Sequence, residues 1–369
     1  MEKHTKVGIV TIISDNYGNR LQNYALNSVL NDLNIKAVTC KRKYYFTSKN
    51  NCKALVGSIM LFFYNYIPLT KKVINKSSLL SSIIRKSRFV QFNKKYIPFT
   101  NVVLEKSYSD IDQKCDYFIC GSDQVWNPYY SFVSSFDFLS FTTSEKRISY
   151  APSFGVDELP ETVKGKYTKY ISEFKSLSVR EEAGKKIIKD IVGRDVPVVL
   201  DPTMLLTKNK WLQVCDDVKI PIPNKYLFVY LLGNLSDEEK SKIEHLGKTY
   251  NLKILYAYDK NYPEIYTAGP KEFLYYILNC TLLCTDSFHA TVFSIIFNRP
   301  FIVFKREDKG HSLNSRIVSL LKLTNLEERL NVEIDNNNLL NCSFEYANSV
   351  INNERIKSIE YISKSLNDN

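Results

Sequence analysis

Between Leu33 and Leu104 this chain has neither Asp nor Glu, yet the same stretch carries fourteen Lys or Arg. The whole chain is only +11, so the positive excess belongs to this one segment, and the remainder is slightly acidic. Such a segment suits a polyanion. Other absences narrow the classes further. No clean apolar run approaches the ~18 residues of a spanning helix. The opening MEKHTK runs straight into KVGIVTII, which Ser14-Asp15-Asn16 break too early for a signal peptide. The eight cysteines include no CxxC pair beside a histidine, which argues against zinc and for buried, reduced thiols in a cytosolic protein. No GxGxxG follows the first strand, so the dinucleotide fingerprint is excluded. Glycine and proline number 12 each in 369 residues that are 44% apolar, enough for large cores and against disorder.

Against these absences stands CTLLCTDSFHATVFSIIFNRPFIVF at 280–304. Thr281–Cys284 has the apolar run of a buried strand. Asp286 and Ser287 sit where a helix is capped, and Ala290–Phe297 has helical length. Asn298-Arg299-Pro300 breaks that helix, and Phe301–Phe304 is a second strand. A strand–turn–helix–strand unit points backbone N–H groups and a positive dipole end at whatever lies above the turn. Ser287, Phe288 and His289 occupy that place, where a serine and a histidine suit a phosphate or a carboxylate. On spacing alone, a plain cap at Ser287 and a core histidine at His289 explain the stretch equally well.

The remainder reads as two alternating α/β series. In the first, residues 6–13 form a strand and a helix runs from about Arg20 to Leu33. The turn between them brings Asp15, Asn16, Tyr17 and Gln22 toward a ligand, although Asp15 alone is better explained by ordinary turn chemistry. A strand at Cys115–Cys120 ends in GSDQVWNP (121–128). Ligands of open α/β sheets bind at such carboxyl ends. Asp123 is therefore a candidate base toward a hydroxyl and Trp126 a candidate stacking face for a sugar, with Gln124 and Asn127 beside them. The alternative is a turn with a half-buried Trp. Ser153 lies in the turn after a strand at Arg147–Ala151. Arg180 follows a strand at Leu177–Val179, where it would hold a carboxylate or phosphate through paired hydrogen bonds, or else pair locally with Glu181 or Glu182. Another strand is expected at Val196–Leu200.

After a break near 203–224 the alternation restarts. Strands are expected at Tyr226–Leu232 and Leu252–Tyr256, and helices at Ser236–Tyr250 and Pro270–Asn279. The 280–304 unit, Lys305-Arg306 and a mostly helical tail follow. The expected domains are 1–202 (with an insert at about 41–95), 203–310 and 311–369. Within the insert, Ala54–Leu69 is apolar and bracketed by Lys53 and Lys71-Lys72. It is too short, and too polar at Asn65, to span a bilayer. It describes a helix lying on an anionic membrane surface, or a core helix with a solvated basic flank. Nucleic acid is the rival polyanion, but Tyr44, Tyr45 and Phe46 belong to no recognised binding motif, and no nucleic-acid partner is expected.

Seven stretches, in this order, resemble the polysaccharide pyruvyl transferase family. They are DNYGNRLQNYAL (15–26), GSDQVWNP (121–128), SYAPSFG (149–155), LSVREEAG (177–184), VVLDPTML (198–205), TDSFHATVFSIIFNRPFIV (285–303) and HSLNSRI (311–317). The resemblance implies an α/β fold of two Rossmann-like domains facing a cleft, as in GT-B glycosyltransferases, with the C-terminal helix returning to the first domain. It also implies transfer of pyruvyl from phosphoenolpyruvate onto two hydroxyls of a sugar as a cyclic ketal, in a capsule or exopolysaccharide precursor. The His of SFHA and the Arg of SVRE are His289 and Arg180 here. With Ser287, Phe288 and Arg306 they form the expected donor side. Asp123, Gln124, Trp126, Asn127, Ser153 and the side chains of Asp15, Asn16, Tyr17 and Gln22 form the expected acceptor side.

The enol methylene must accept a proton, a sugar hydroxyl attacks, phosphate leaves and the second hydroxyl closes the ring. That chemistry needs a general acid, a general base and cationic stabilisation of phosphate. His289 is the acid or the phosphate anchor, and Asp123 the base. Phosphoenolpyruvate is then a co-substrate, with no other cofactor, and no metal is required because His and Arg can supply the charge. The family match is poor across the insert. The insert is expected to dock the enzyme on the inner face of the cytoplasmic membrane, beside a polyprenyl-diphosphate-linked acceptor. Two rivals remain. One is a glycosyltransferase using a nucleotide sugar, with Glu264 or Glu272 on the ribose. The other is a non-catalytic protein that binds membrane or another polyanion.

Overall fold

The computed structural model describes residues 5–45, 48–67, 74, 77–259, 262–306, 315–332 and 339–367, with backbone only at 48–55, 66 and 263. Short apolar runs build the first sheet, as expected of parallel strands buried on both faces. They are β1 (Lys6–Val10), β2 (Lys36–Lys41), β3 (Phe99–Val103), β4 (Tyr117–Cys120) and β5 (Arg147–Ser149), all parallel in the order β3-β2-β1-β4-β5. Gly8 is needed at the centre, because a Cβ there would come within 2.5 Å of the Phe118 ring. The strand order reverses between β1 and β4, and the crevice at their carboxyl ends is a topological switch point. Helix α1 (Tyr17–Asp32) starts from that crevice, capped by Asn16, whose side chain accepts from Asn19 N at 3.3 Å. Between β2 and β3 the chain makes two helices packed on each other, α2 (Ser48–Tyr66) and α3 (Ser78–Tyr96).

The second sheet holds β6 (Tyr226–Tyr230), β7 (Lys253–Tyr256), β8 (Leu282–Thr285) and β9 (Phe301–Val303), parallel in the order β7-β6-β8-β9. Its switch point lies between β6 and β8. Among the helices of this half are α4 (Asp237–Thr249), α5 (Pro270–Asn279) and α6 (Phe288–Phe297). Asn298 closes α6 in the left-handed conformation at φ 56°, a position Asn tolerates, before Pro300 starts the approach to β9. Two C-terminal helices follow, α7 (Ser315–Thr324) and α8 (Glu345–Asn367). In α8, Ser358 accepts from Leu200 N at 3.0 Å, Tyr361 donates to Ser149 O at 2.9 Å, and Arg355 donates to Met204 O at 2.9 Å. The architecture is thus two doubly wound α/β units with a C-terminal helix laid back against the first.

α3 crosses to the second unit. Arg88 donates to Thr267 O at 3.2 Å and lies 3.8 Å from Glu272. Arg85 stacks 5.1 Å from the Tyr17 ring and 5.2 Å from that of Tyr258. Several expectations are corrected. Residues 177–179 and 196–200 form no strands, only the isolated bridge between Val179 and Val198. Pro197 has no N–H to extend a ladder there. α1 begins at Tyr17 rather than Arg20, because Asn16 supplies the cap. β3 went unread, because FTNVV is half polar and its residues are only partly buried. The first half of the HSLNSRI motif (311–314) lies outside the described residues, as does part of the basic insert.

Candidate active site

Both switch points open on one cavity of about 290 Å³. The first unit lines it with Ser14, Asn16 and Asn19 from the end of β1, and with Asp123 and Gln124 from the end of β4. The second unit contributes the α6 N-terminus from Asp286 to His289, and Arg306 after β9; Arg316 on α7 completes the wall. Ligand crevices of two sheets therefore face each other across a shared space.

Asp123 is held at φ 74°, a left-handed conformation that costs a non-glycine residue about 1–3 kcal/mol and persists only where its surroundings enforce it. Here its carbonyl accepts from Val125 N and Ser153 N, both at 2.8 Å. Its carboxylate accepts from Gln124 N at 2.9 Å and from the Asn19 side chain. Arg180 lies 3.7 Å and Arg316 3.9 Å away. Burial alone would raise the Asp123 pKa, but the charges of His289, Arg180 and Arg316 outweigh it and the net shift is downward. The group is a carboxylate at neutral pH, able to accept a proton.

Behind it lies Asp201, capping the short turn Pro202–Leu205. It accepts from Ser122 Oγ at 2.7 Å, Arg180 Nη1 at 2.9 Å and Thr203 Oγ1 at 2.6 Å. Burial opposes its charge, yet His289, Arg180 and the hydrogen bonds hold its pKa well below the carboxylate range. His289 Nε2 lies 3.6 Å from Asp201 Oδ2, too far for a hydrogen bond, and makes no hydrogen bond among the described residues. The other edge of the imidazole abuts Gly18, where any Cβ would overlap the ring. Ser287 caps α6, accepting from Ala290 N at 3.5 Å, and also reaches the cavity. Asp286 accepts from Leu232 N and Gly233 N, both at 2.7 Å, and from Arg306 Nε at 3.0 Å. It thereby fixes the loop after β6 against the cavity.

Arg180 does not line this cavity. It lines a neighbouring one of about 260 Å³, shared with Phe288 and Arg316. Its guanidinium stacks 4.6 Å from the Phe288 ring centre and lies 3.6 Å from Glu181. Both the anion-binding and the local-pair readings of Arg180 thus have geometric grounds. Arg316 faces both cavities. Burial and the like charge of Arg180 press its pKa down to about 10, and its buried Nε has no partner among the described residues. The Gln124 amide lies 3.0 Å from Arg316 Nη1 and 2.7 Å from the Tyr130 hydroxyl.

Five expected acceptor residues point elsewhere. Trp126 is fully buried, stacked 5.7 Å from Phe138 with Nε1 donating to Asp137 O, so it offers no face to a sugar. Tyr17 belongs to the seam between units. Its ring stacks 4.3 Å from Phe273, and its hydroxyl donates to Ala268 O at 3.0 Å. Gln22 is buried and donates to Thr11 Oγ1 at 2.8 Å, and Ser153 is buried with its hydroxyl accepting from Gly155 N at 3.1 Å. Asn127 accepts from Tyr129 N at 2.9 Å and is buried beside Gln124. Asp15, on the cavity rim, accepts from the Tyr45 hydroxyl at 2.5 Å and pairs with Lys86 at 3.7 Å. Glu272, the ribose candidate of the nucleotide-sugar reading, is engaged by Gly269 N at 2.9 Å and by Arg88.

The residues that sequence reasoning left unassigned are Gly18, Asn19, Tyr130, Asp201 and Arg316. Four of the five lay inside quoted motifs, Tyr130 just beyond one, without a signal to separate them from their neighbours.

Fold and site together define a two-domain α/β protein of GT-B architecture, with a cationic ligand cavity between its units. The chain belongs to the polysaccharide pyruvyl transferase family: a model of that family matches residues 16–308. It is by family a transferase acting on polysaccharide. No curated protein matches it. Among solved structures it is similar to a UDP-GlcNAc 2-epimerase of Methanocaldococcus jannaschii, with 14% identity, 98% of this chain and 99% of that chain covered, and TM-score 0.46. It is also similar to S. aureus MnaA, with 12% identity, 97% and 90% covered, and TM-score 0.48. A third is MurG of Acinetobacter baumannii, with 8% identity, 99% and 95% covered, and TM-score 0.40.

Proposed function

We propose that this protein transfers pyruvyl from phosphoenolpyruvate to two hydroxyls of a sugar in a surface-polysaccharide precursor. The observation that carries the reading is the meeting of cationic groups from the second unit and α7 with a carboxylate from the first. Arg316, Arg306, His289 and the α6 N-terminus share a cavity with Asp123. A donor bearing both a phosphate and a carboxylate needs such a set, and an acceptor hydroxyl needs the base.

In this scheme the phosphate and carboxylate of phosphoenolpyruvate lie against Arg316 and the turn Ser287-Phe288-His289. Arg180 braces Asp123 and Phe288 from behind. A proton goes to the enol methylene, which becomes methyl, and the first sugar hydroxyl bonds to the adjacent carbon while its proton passes to Asp123. Phosphate departs with its bonding pair, and the second hydroxyl closes the ketal. Of the two hydroxyl protons, one balances the methyl group and the other ends on phosphate. His289 is the proton donor or the phosphate anchor. The acceptor is a sugar presented on a polyprenyl diphosphate carrier at the inner membrane face.

The test is incubation with phosphoenolpyruvate and a lipid-linked saccharide extract, reading inorganic phosphate and the ketal by mass spectrometry. Equimolar phosphate and ketal are expected. Phosphate without ketal, or a product only from a nucleotide sugar, contradicts the proposal.

A further inference from the structure

We infer that the solvent side of α2 is a docking surface for an anionic lipid bilayer. α2 is apolar on two sides. On one, Leu61 and Tyr64 pack with Ile74 and with Ile84 of α3, and Gly57 lets the helix close against Ser87. On the other, Val56, Ile59, Phe62 and Phe63 are 52%, 56%, 60% and 43% exposed, and Ile67 just beyond the helix is 41% exposed. Residues 56, 59, 63 and 67 follow the three- and four-residue spacing of one helical stripe, with Phe62 beside it. A helix with one apolar side packed and a second apolar stripe this exposed among the described residues has a further apolar environment to meet.

The charge identifies that environment. Among the described residues, at least six of the fourteen basic residues of the acid-free stretch are engaged within the chain. Arg42 pairs with Asp137 and Glu105, Lys86 with Asp15, Arg88 with Glu272 and Lys95 with Asp217, Arg85 lies over the Tyr17 ring, and Lys41 donates to Asn101 O at 3.3 Å. Of the rest, Lys49 and Lys53 lie within α2, and Lys71, Lys72 and Lys76 follow it in sequence. A sequence that brackets an apolar stripe with lysines and offers no acid matches the two-part affinity of interfacial helices for anionic bilayers. A second copy of the chain would bring two such positive segments together with no acid in either to offset them. A nucleic acid would engage the lysines and leave the stripe in water.

The docking face is also joined to the cavity. Arg85 of α3 donates to Asp15 O at 3.4 Å, and Lys86 lies 3.7 Å from the Asp15 carboxylate. Ser14 and Asn16, on either side, line the cavity. On the proposed function, a sugar linked to a lipid of that bilayer would reach the cavity past this rim. That last step rests on the proposed function; the docking surface does not.

The experiment is flotation with vesicles of phosphatidylcholine, alone or mixed with phosphatidylglycerol, comparing wild type with Ile59→Ser/Phe62→Ser. Wild type is expected to float with the mixed vesicles only, and the variant to bind at least tenfold more weakly with an unchanged melting temperature. No flotation of wild type at low salt overturns the inference. So does equal flotation of the variant, which would leave net charge as the whole cause, and so does a wild-type dimer that the variant dissolves. Stabilisation by phosphoenolpyruvate, measured on the same two proteins, reports on the cavity separately, so failure of the donor reading and failure of the docking surface are distinguishable.

Discussion

Arg316 is a buried guanidinium with no close ion pair among the described residues: Arg180 opposes it, Asp123 stands 3.9 Å away, and beside the Gln124 amide at Nη1 its Nε lacks a partner there. An anion in the cavity would satisfy it, so Arg316→Ala is expected to abolish stabilisation by phosphoenolpyruvate. Asp123→Asn is expected to behave differently, retaining donor binding while turnover falls about 10²–10⁴-fold, the usual share of a general base. Calorimetric titration beside single-turnover kinetics separates the two; loss of binding in Asp123→Asn would assign that residue to the donor instead. Gly18→Ala places a methyl group against the imidazole of His289 and is expected to lower activity far more than melting temperature. The sequence made Asp123, Ser287 and His289 legible because each stands at a strand's end or a helix start. Arg316 and Asp201 were not, because their neighbours in the site come from distant segments, and Trp126 misled because burial is set by Phe138, Phe154 and Phe174 rather than by its own turn.

Elements announced themselves where local and tertiary demands agree. The apolar run at β8, the Ser287 cap and the Asn298 stop were readable, and α5 lies where its pattern ended, at Pro270–Asn279. Residues 177–179 and 196–200 failed as strands because apolar runs do not reveal that Pro197 interrupts the pairing. α3 starts at Ser78 because Ser77 caps it, its side chain accepting from Leu80 N. Its seam role was invisible: Arg85 and Arg88 looked like part of a basic surface, but they join the two units. Arg88→Ala removes the contacts to Thr267 O and Glu272. It is expected to raise protease susceptibility between the units and to lower stability by about 1–3 kcal/mol, as for a hydrogen bond to a charged group lost from a partly buried site. An unchanged proteolysis pattern would show that the other seam contacts, the Tyr17–Phe273 stack and the Tyr17–Ala268 hydrogen bond among them, suffice to hold the units together.

The molecule as a whole carries its polar strain at the place where the units meet. Asp123 and Asp201 have pKa values shifted down in the folded state. Their stabilisation is therefore fully present above the unfolded carboxylate value of about 4 and is lost as pH falls through the folded values, because the unfolded chain binds more protons there. Glu181, shifted up chiefly by burial, works the other way and costs stability as pH rises through its folded value. Asp201→Asn is expected to flatten the acid limb of a melting-temperature profile below about pH 4, and Glu181→Gln to raise stability near neutrality. An acid limb unchanged by Asp201→Asn would locate that dependence elsewhere. The two α/β series and their order were legible because strand–helix alternation is a local signal. The shared cavity was not, since it exists only once both switch points face each other.

The most direct measurement is the melting temperature of wild type and of Arg316→Ala and His289→Ala, with and without phosphoenolpyruvate. At about 100 times its dissociation constant the ligand should stabilise wild type by about 2.7 kcal/mol, a shift absent from both variants. No shift in wild type, or a shift that survives in both variants, contradicts a donor site between the two units.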